Sequence, residues 1–188
     1  MSSGERREQL ISVARALFAE RGFDGTSVEE VAARAQVSKP VVYGHFGGKE
    51  GLYAGVVDRE VTTLDNAIKS AISQPSKSYR EVIERGTLAL LDYIDDRPDG
   101  FRILSRDSPV GSTTGSFASI LNDIATRVED LLGPPLVRRG YDPVIAGVYS
   151  QALVGLVSSA GLSWVDTRRP DKAKVAAELV NLAWNGLS

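Results

Sequence analysis

Apolar positions recur at helical spacing along almost the whole chain, and no stretch alternates as a half-buried strand would. Leu10, Val13, Ala14, Leu17 and Phe18 fall at i, i+3, i+4, i+7 and i+8. They predict an amphipathic helix from about Arg6 to Arg21, stopped by Gly22. Met1 to Glu5 is polar and is expected to be loose, with Arg6 and Arg7 on a flexible lead. A long helix follows from Lys49 towards Ile72, with Leu52, Val56, Val57, Val61, Leu64, Ile68 and Ile72 on its apolar side. At 1.5 Å per residue it spans on the order of 35 Å. Further helices are predicted over Tyr79 to Asp96, Phe101 to Leu104, Phe117 to Leu132, Val144 to Val165 and Asp171 to Leu187. Ser105 to Ser116 reads as a loop, and Gly133-Pro134-Pro135 reads as a helix stop. The fold expected is all-α.

The stretch from Thr26 to Lys49, TSVEEVAARAQVSKPVVYGHFGGK, has a finer grain. Thr26 or Ser27 can cap a short helix, with Glu29 or Glu30 three residues on completing a capping box. Val28, Val31, Ala32 and Ala35 form its stripe. Ser38 can cap a second helix with Pro40 in the first turn, where its missing N–H costs nothing, and Gly47-Gly48 ends it. Two short helices around a tight turn are a helix-turn-helix pattern. On the second helix Val42 and Phe46 point to the core, while Pro40, Val41 and Gly44 fall opposite, flanked by Tyr43, His45 and Lys39. A small apolar surface facing outward suits a major groove, where it can meet a thymine methyl while the flanking polar groups reach phosphates and base edges.

Composition changes this picture only in part. The 188 residues are 43% hydrophobic and 7% aromatic, with no cysteine, a net charge of −2 and a pI near 5.5. Disulfides, thiolate metal sites and cysteine nucleophiles are therefore excluded. The acidic balance argues against indiscriminate coating of nucleic acid. Residues 1–60 carry eight Lys/Arg against nine Asp/Glu, so binding must depend on a few placed contacts. Catalytic chemistry has little to work with. His45 is the one histidine and has no acid beside it, and the adjacent Asp95 and Asp96 point about 100° apart. No catalytic residue, metal ligand or cofactor is expected.

The amphipathic first helix ending in RGF, the T-x-x-x-x-x-A-x-x-x-x-V-S segment and V-Y-x-H-F-x-x-K-E-x-L, in that order over roughly Arg7 to Val57, resemble the TetR family of bacterial transcriptional regulators. The resemblance implies a DNA-binding domain at residues 1–50 and a helical effector-binding and dimerisation domain at 51–188. It implies that Lys39, Pro40, Val41 and Tyr43 read bases, and that Thr26, Tyr43, His45 and Lys49 hold phosphates. Arg34 is a further DNA-facing candidate, and Gly44 departs from the larger side chain common at its position. The function implied is a cytoplasmic, sequence-specific regulator, by default a repressor released by a small molecule. It would act as a homodimer through its two C-terminal helices on a palindromic operator of double-stranded DNA. The alternative is an all-helical sensor of a small molecule or protein that has lost DNA binding.

Two further expectations concern the C-terminal half. Val144 to Val165 carries no charge, yet its glycines, serines and Gln151, with basic residues beyond both ends, favour a buried helix over a membrane span. Gly147, Gly155, Ser159 and Ala160 would let another helix come close. The effector pocket is expected among Tyr93, Phe101, Leu104, Phe117, Leu121, Tyr149 and Leu153, and the scarcity of charge there points to a largely apolar effector. Arg102 and Arg106 are expected at the surface.

Overall fold

The computed structural model describes residues 2–76, 78–106 and 117–186. Among these, the elements are α1 (Ser3–Arg21), α2 (Val28–Arg34), α3 (Lys39–Phe46), α4 (Lys49–Ile72), α5 (Tyr79–Asp96), α6 (Pro98–Ser105), α7 (Phe117–Arg138), α8 (Pro143–Thr167) and α9 (Lys172–Gly186). Contacts divide the chain into two compact units. One holds the residues up to Thr62 and the segment from Arg97 through α6; the other holds Thr63 to Asp96 and the chain from Phe117 on. Helix α4 runs through both. The expected halves at 1–50 and 51–188 divide the chain by role, whereas this division is by contact.

Several boundaries differ from expectation for identifiable reasons. Helix α1 starts at Ser3, so Ser3 to Glu5 are helical and Arg6 and Arg7 do not stand on a lead. Ser2 caps it, its Oγ accepting from the Glu5 N–H at 3.2 Å while the Glu5 carboxylate accepts from the Ser2 N–H at 2.6 Å. That reciprocal pair satisfies two otherwise orphaned donors. It also holds the Glu5 carboxyl below its usual range, chiefly through the Ser2 backbone bond. Helix α6 is a full turn longer than expected, because Pro98 starts it in the first turn. Helix α7 does not stop at Gly133 but passes through Pro134 and Pro135 to Arg138. The prolines cannot donate to the carbonyls of Asp130 and Leu131. Both of those residues are exposed, so water can take the place of the missing donors. The expected loop lies outside the described residues from position 107 to 116.

In the first unit the core gathers Leu10, Ala14, Leu17 and Phe18 of α1, Val31 of α2, Val42 of α3 and Leu52 and Val56 of α4, each at most 2% exposed. Phe18, Phe23 and Tyr53 pack edge-on and offset, with centroids 5.0 to 6.2 Å apart. Helix α6 joins this unit by burying Phe101, Ile103 and Leu104 and packing on α1. Polar groups fasten both of its ends. Arg97 donates through Nε and Nη2 to the two carboxylate oxygens of Glu60, at 2.9 and 2.6 Å. Arg106 donates to the carbonyls of Phe18 and Ala19 at 3.3 and 3.0 Å. Arg106 is exposed, as expected, and its guanidinium satisfies carbonyls in the last turn of α1.

In the second unit α7 lies along α8, and α5 packs on α9 and α8. Arg168, the αL cap of α8, donates to the carbonyls of Val165 and Ile94 and pairs with Asp95. Lys172 bridges Asp92 and Asp95, and these two acids, Asp92 first, raise its pKa. These pairs pin the start of α9 to the end of α5.

Candidate DNA-reading face and effector cavity

The turn between α2 and α3 is built from local rules. Ser27, not Thr26, caps α2. Its Oγ accepts from the Glu30 N–H at 3.2 Å, and the Glu30 carboxylate accepts from the Ser27 N–H at 3.1 Å. That backbone bond, with the Ser27 hydroxyl and Arg21, holds the Glu30 carboxyl below its usual range. Gln36 takes positive φ in the turn, and Val37 N–H reaches the Ala32 carbonyl at 2.9 Å. Ser38 holds the N-cap position of α3 but, against expectation, makes no side-chain cap bond; Pro40 lies in the first turn, and Gly47 closes the helix at φ 73°, its N–H on the Tyr43 carbonyl at 2.8 Å. An L-residue meets a steric cost at that φ.

Helix α3 presents two faces, as the spacing predicts. Val42 is fully buried; Lys39, Pro40, Tyr43 and Gly44 are exposed, and Val41 and His45 are half-buried. Phe46 is half-buried too, under the Arg7 guanidinium at 5.1 Å from its centroid. Lys39 Nζ lies 5.6 Å from the Tyr43 ring centroid and pairs with Glu29 of α2. That hydrogen bond is the main reason the Glu29 carboxyl sits below its usual range and the Lys39 ammonium above its own. Both groups are ionised at neutral pH. Arg34 is exposed and lies 3.9 Å from Glu20. Lys49 stands over the Phe23 ring at 4.4 Å and reaches the Asp24 carbonyl at 3.4 Å.

Thr26 departs from its expected place. It is 2% exposed, and its hydroxyl donates to the carbonyls of Gly22 and Leu17 at 2.9 and 3.3 Å. A side chain so enclosed ties the loop to α1 and is not available to a phosphate. Nothing in the sequence pattern marks Glu29 as a partner of the reader. It lies ten residues from Lys39 across a turn, a spacing that carries no helical signal.

The second unit contains an apolar cavity of about 70 Å³. Ile68 of α4, Ile83 and Leu90 of α5, Leu121 of α7 and Leu153 of α8 contribute to its walls, and Thr87 is its one hydroxyl. That hydroxyl is satisfied by the Ile83 carbonyl at 2.8 Å. A wider cleft of about 280 Å³ shares Ile83 and Leu132 with it and adds Tyr79, Tyr149, Trp184 and Arg139. Of the expected pocket residues, Leu121 and Leu153 line the cavity and Tyr149 lines the cleft. Tyr93 is buried and Phe117 half-buried, and neither lines these spaces. Phe101 and Leu104 belong to the first unit, because α6 packs on α1.

Residues 10–56 match the family model described as bacterial regulatory proteins, tetR family, and residues 79–186 match that of the tetracyclin repressor-like C-terminal domain. The chain belongs to the TetR family. It is 29% identical over 187 residues to the HTH-type transcriptional activator FasR of Mycolicibacterium smegmatis, covering 98% of this chain and 84% of that one. A tetR-family transcriptional regulator from Streptomyces coelicolor is 27% identical, with a TM-score of 0.73 over 97% of this chain and 80% of that one. A putative transcriptional regulator from Pseudomonas aeruginosa PAO1 has the same fold at 17% identity, with a TM-score of 0.83 over 100% and 92%. As a TetR-family member the protein is a DNA-binding transcriptional regulator, built as an N-terminal helix-turn-helix domain and a helical C-terminal domain. The family is one of regulators rather than enzymes.

Proposed function

We propose that the protein binds a palindromic operator as a homodimer, with α3 in the major groove of each half-site, and that a largely apolar small molecule changes its affinity. The observation that carries the first part is the outward surface of α3, where Lys39, Pro40 and Tyr43 stand exposed beside half-buried Val41 and His45. In this reading Lys39, Pro40, Val41 and Tyr43 face bases. His45 and Lys49 face phosphates, together with the N-terminus of α4, and Arg34 stands at the margin. Such a protein works where the DNA is, in the cytoplasm. A sensor without DNA binding would have no use for this surface.

Dimerisation through α8 and α9 is supported by their exposed apolar side chains. Val144, Val148, Leu162 and Leu182 are 73, 56, 44 and 63% exposed. Helix α8 is long and apolar enough to cross a membrane, yet only 28% of its most apolar window is buried in the protomer. A twin helix pair covers such a face as well as lipid would, and the family match favours the twin.

The effector site proposed is the apolar cavity, entered from the adjoining cleft. At about 70 Å³ it falls well short of the roughly 300 Å³ of a small-molecule site. Binding must therefore part α5, α7 and α8, and that displacement is available to α4. Because α4 begins at Lys49, a shift of a few ångströms there alters the spacing of the two readers. The sign of regulation depends on where the operator lies relative to the promoter. Release of repression by ligand is the default reading, while FasR is described as an activator.

Two expectations test these roles. Lys39→Ala should weaken binding to the protein's own upstream DNA in a gel-shift titration by about tenfold, and Tyr43→Phe by a smaller factor, with unchanged thermal unfolding. Normal binding by both variants would show that α3 is not the reader. Leu153→Trp should fill the cavity. It should abolish the thermal stabilisation given by any compound that releases wild-type protein from DNA, while operator affinity without compound stays near wild type. Retained stabilisation would place the effector elsewhere.

A further inference from the structure

We infer that Glu29 and Lys39 together read one G·C base pair in each half-site: the ammonium takes the guanine acceptors and the carboxylate takes the cytosine amino group. The inference rests on α3 being the reader. It adds a specificity residue on α2, outside the recognition helix.

The ion pair joins the first turn of α2 to the first turn of α3. The two acids of that α2 turn are not equivalent. Glu30 is occupied by the Ser27 cap and by Arg21. Glu29 takes no part in the cap, is exposed, and has its partner on the reading helix. A carboxylate in this place is costly beside DNA unless a donor meets it, because phosphates repel it from every side. In the major groove the donors are the cytosine N4 and adenine N6 amino groups. Lys39 needs acceptors, and guanine offers O6 and N7. A single G·C pair presents guanine acceptors next to a cytosine donor, so an adjacent ammonium and carboxylate match its edge without being separated.

The same pairing removes Lys39 from indiscriminate phosphate binding. An ammonium neutralised by its neighbour releases little counterion, so non-specific affinity stays low. Sequences without a donor at this position are rejected by the unpaired carboxylate, a repulsive element rather than an attractive one. This agrees with the near balance of charge over residues 1–60, where eight basic residues face nine acidic ones.

The test is selection of duplexes from a random pool by full-length wild type, Glu29→Ala and Glu29→Gln, followed by salt titration on random-sequence DNA. Neither substitution disturbs the Ser27–Glu30 cap, and thermal unfolding confirms that each variant is folded. Wild type should enrich G·C at one position per half-site, with about 10-fold or greater discrimination. Both variants should lose that preference while keeping the other positions. Glu29→Ala should also bind random DNA several-fold more tightly and steepen the salt dependence by up to about one unit of log–log slope. Variants that enrich the same operator as wild type would overturn the role of Glu29 and leave the reader intact. A wild type that enriches no sequence would overturn the reader and this inference together.

Discussion

Gly51→Ala should cost the protein its operator binding, by far more than tenfold in a titration, and lower its unfolding free energy by about 2–3 kcal/mol. A Cβ at Gly51 would lie 1.9 Å from the carbonyl oxygen of Phe46 and 3.1 Å from its carbonyl carbon. Both are backbone atoms, so no rotamer change relieves the overlap. The last turn of α3 must move away from the first turn of α4, and Lys49 and the reading face move with it. Gly44→Ala is the control. Gly44 is exposed in mid-helix, and a Cβ there would meet nothing within 4 Å. At that position alanine should stabilise α3, by up to about 1 kcal/mol. Opposite signs in urea unfolding for the same substitution at two glycines seven residues apart would confirm that close approach, and not flexibility, fixes Gly51.

Arg97→Ala should destabilise the protein by about 3 kcal/mol, far more than truncating either member of an exposed pair such as Lys39 and Glu29. Glu60 is fully buried, and Arg97 donates to both of its carboxylate oxygens, at 2.9 and 2.6 Å. Arg15 lies farther off, at 3.4 Å. Removing Arg97 takes two charge-assisted hydrogen bonds from a buried carboxylate, whereas Glu60→Gln removes the charge and keeps an acceptor, so it should cost less. Chemical denaturation of the two variants side by side checks the order. Equal losses would mean that the pairing contributes through packing and not through charge. Arg97 also stands where the chain passes from α5 to α6, which is where it enters the first unit.

Much of this organisation is legible from local pattern. Helices α4 and α5 begin and end where spacing and prolines place them, and the two faces of α3 follow from the position of Val42 alone. The start of α1 is equally readable in principle, since Ser2 and Glu5 form an S-x-x-E box, but the polar composition of the first five residues masks it. What local pattern does not carry is partnership at long range. Arg106 meets α1 carbonyls 88 and 87 residues away, and no periodicity reports that. The same packing takes Phe101 and Leu104 out of the expected pocket, while Leu121 and Leu153, legible only as apolar positions on the right helices, do line the cavity. Consecutive prolines in α7 mislead for a different reason: the carbonyls they orphan are exposed, so the usual penalty for a broken ladder is small there.

On the proposed function, two copies of this chain place two copies of α3 in successive major grooves. This arrangement is tested most directly by sequencing the duplexes that purified wild-type protein enriches from a random pool, together with the mass of the complex they form. An inverted repeat is expected, with half-site centres about 34–36 Å apart, or a multiple of that spacing, and an even number of protomers per duplex. Enrichment of no sequence, or of a single asymmetric site bound by one protomer, would contradict it.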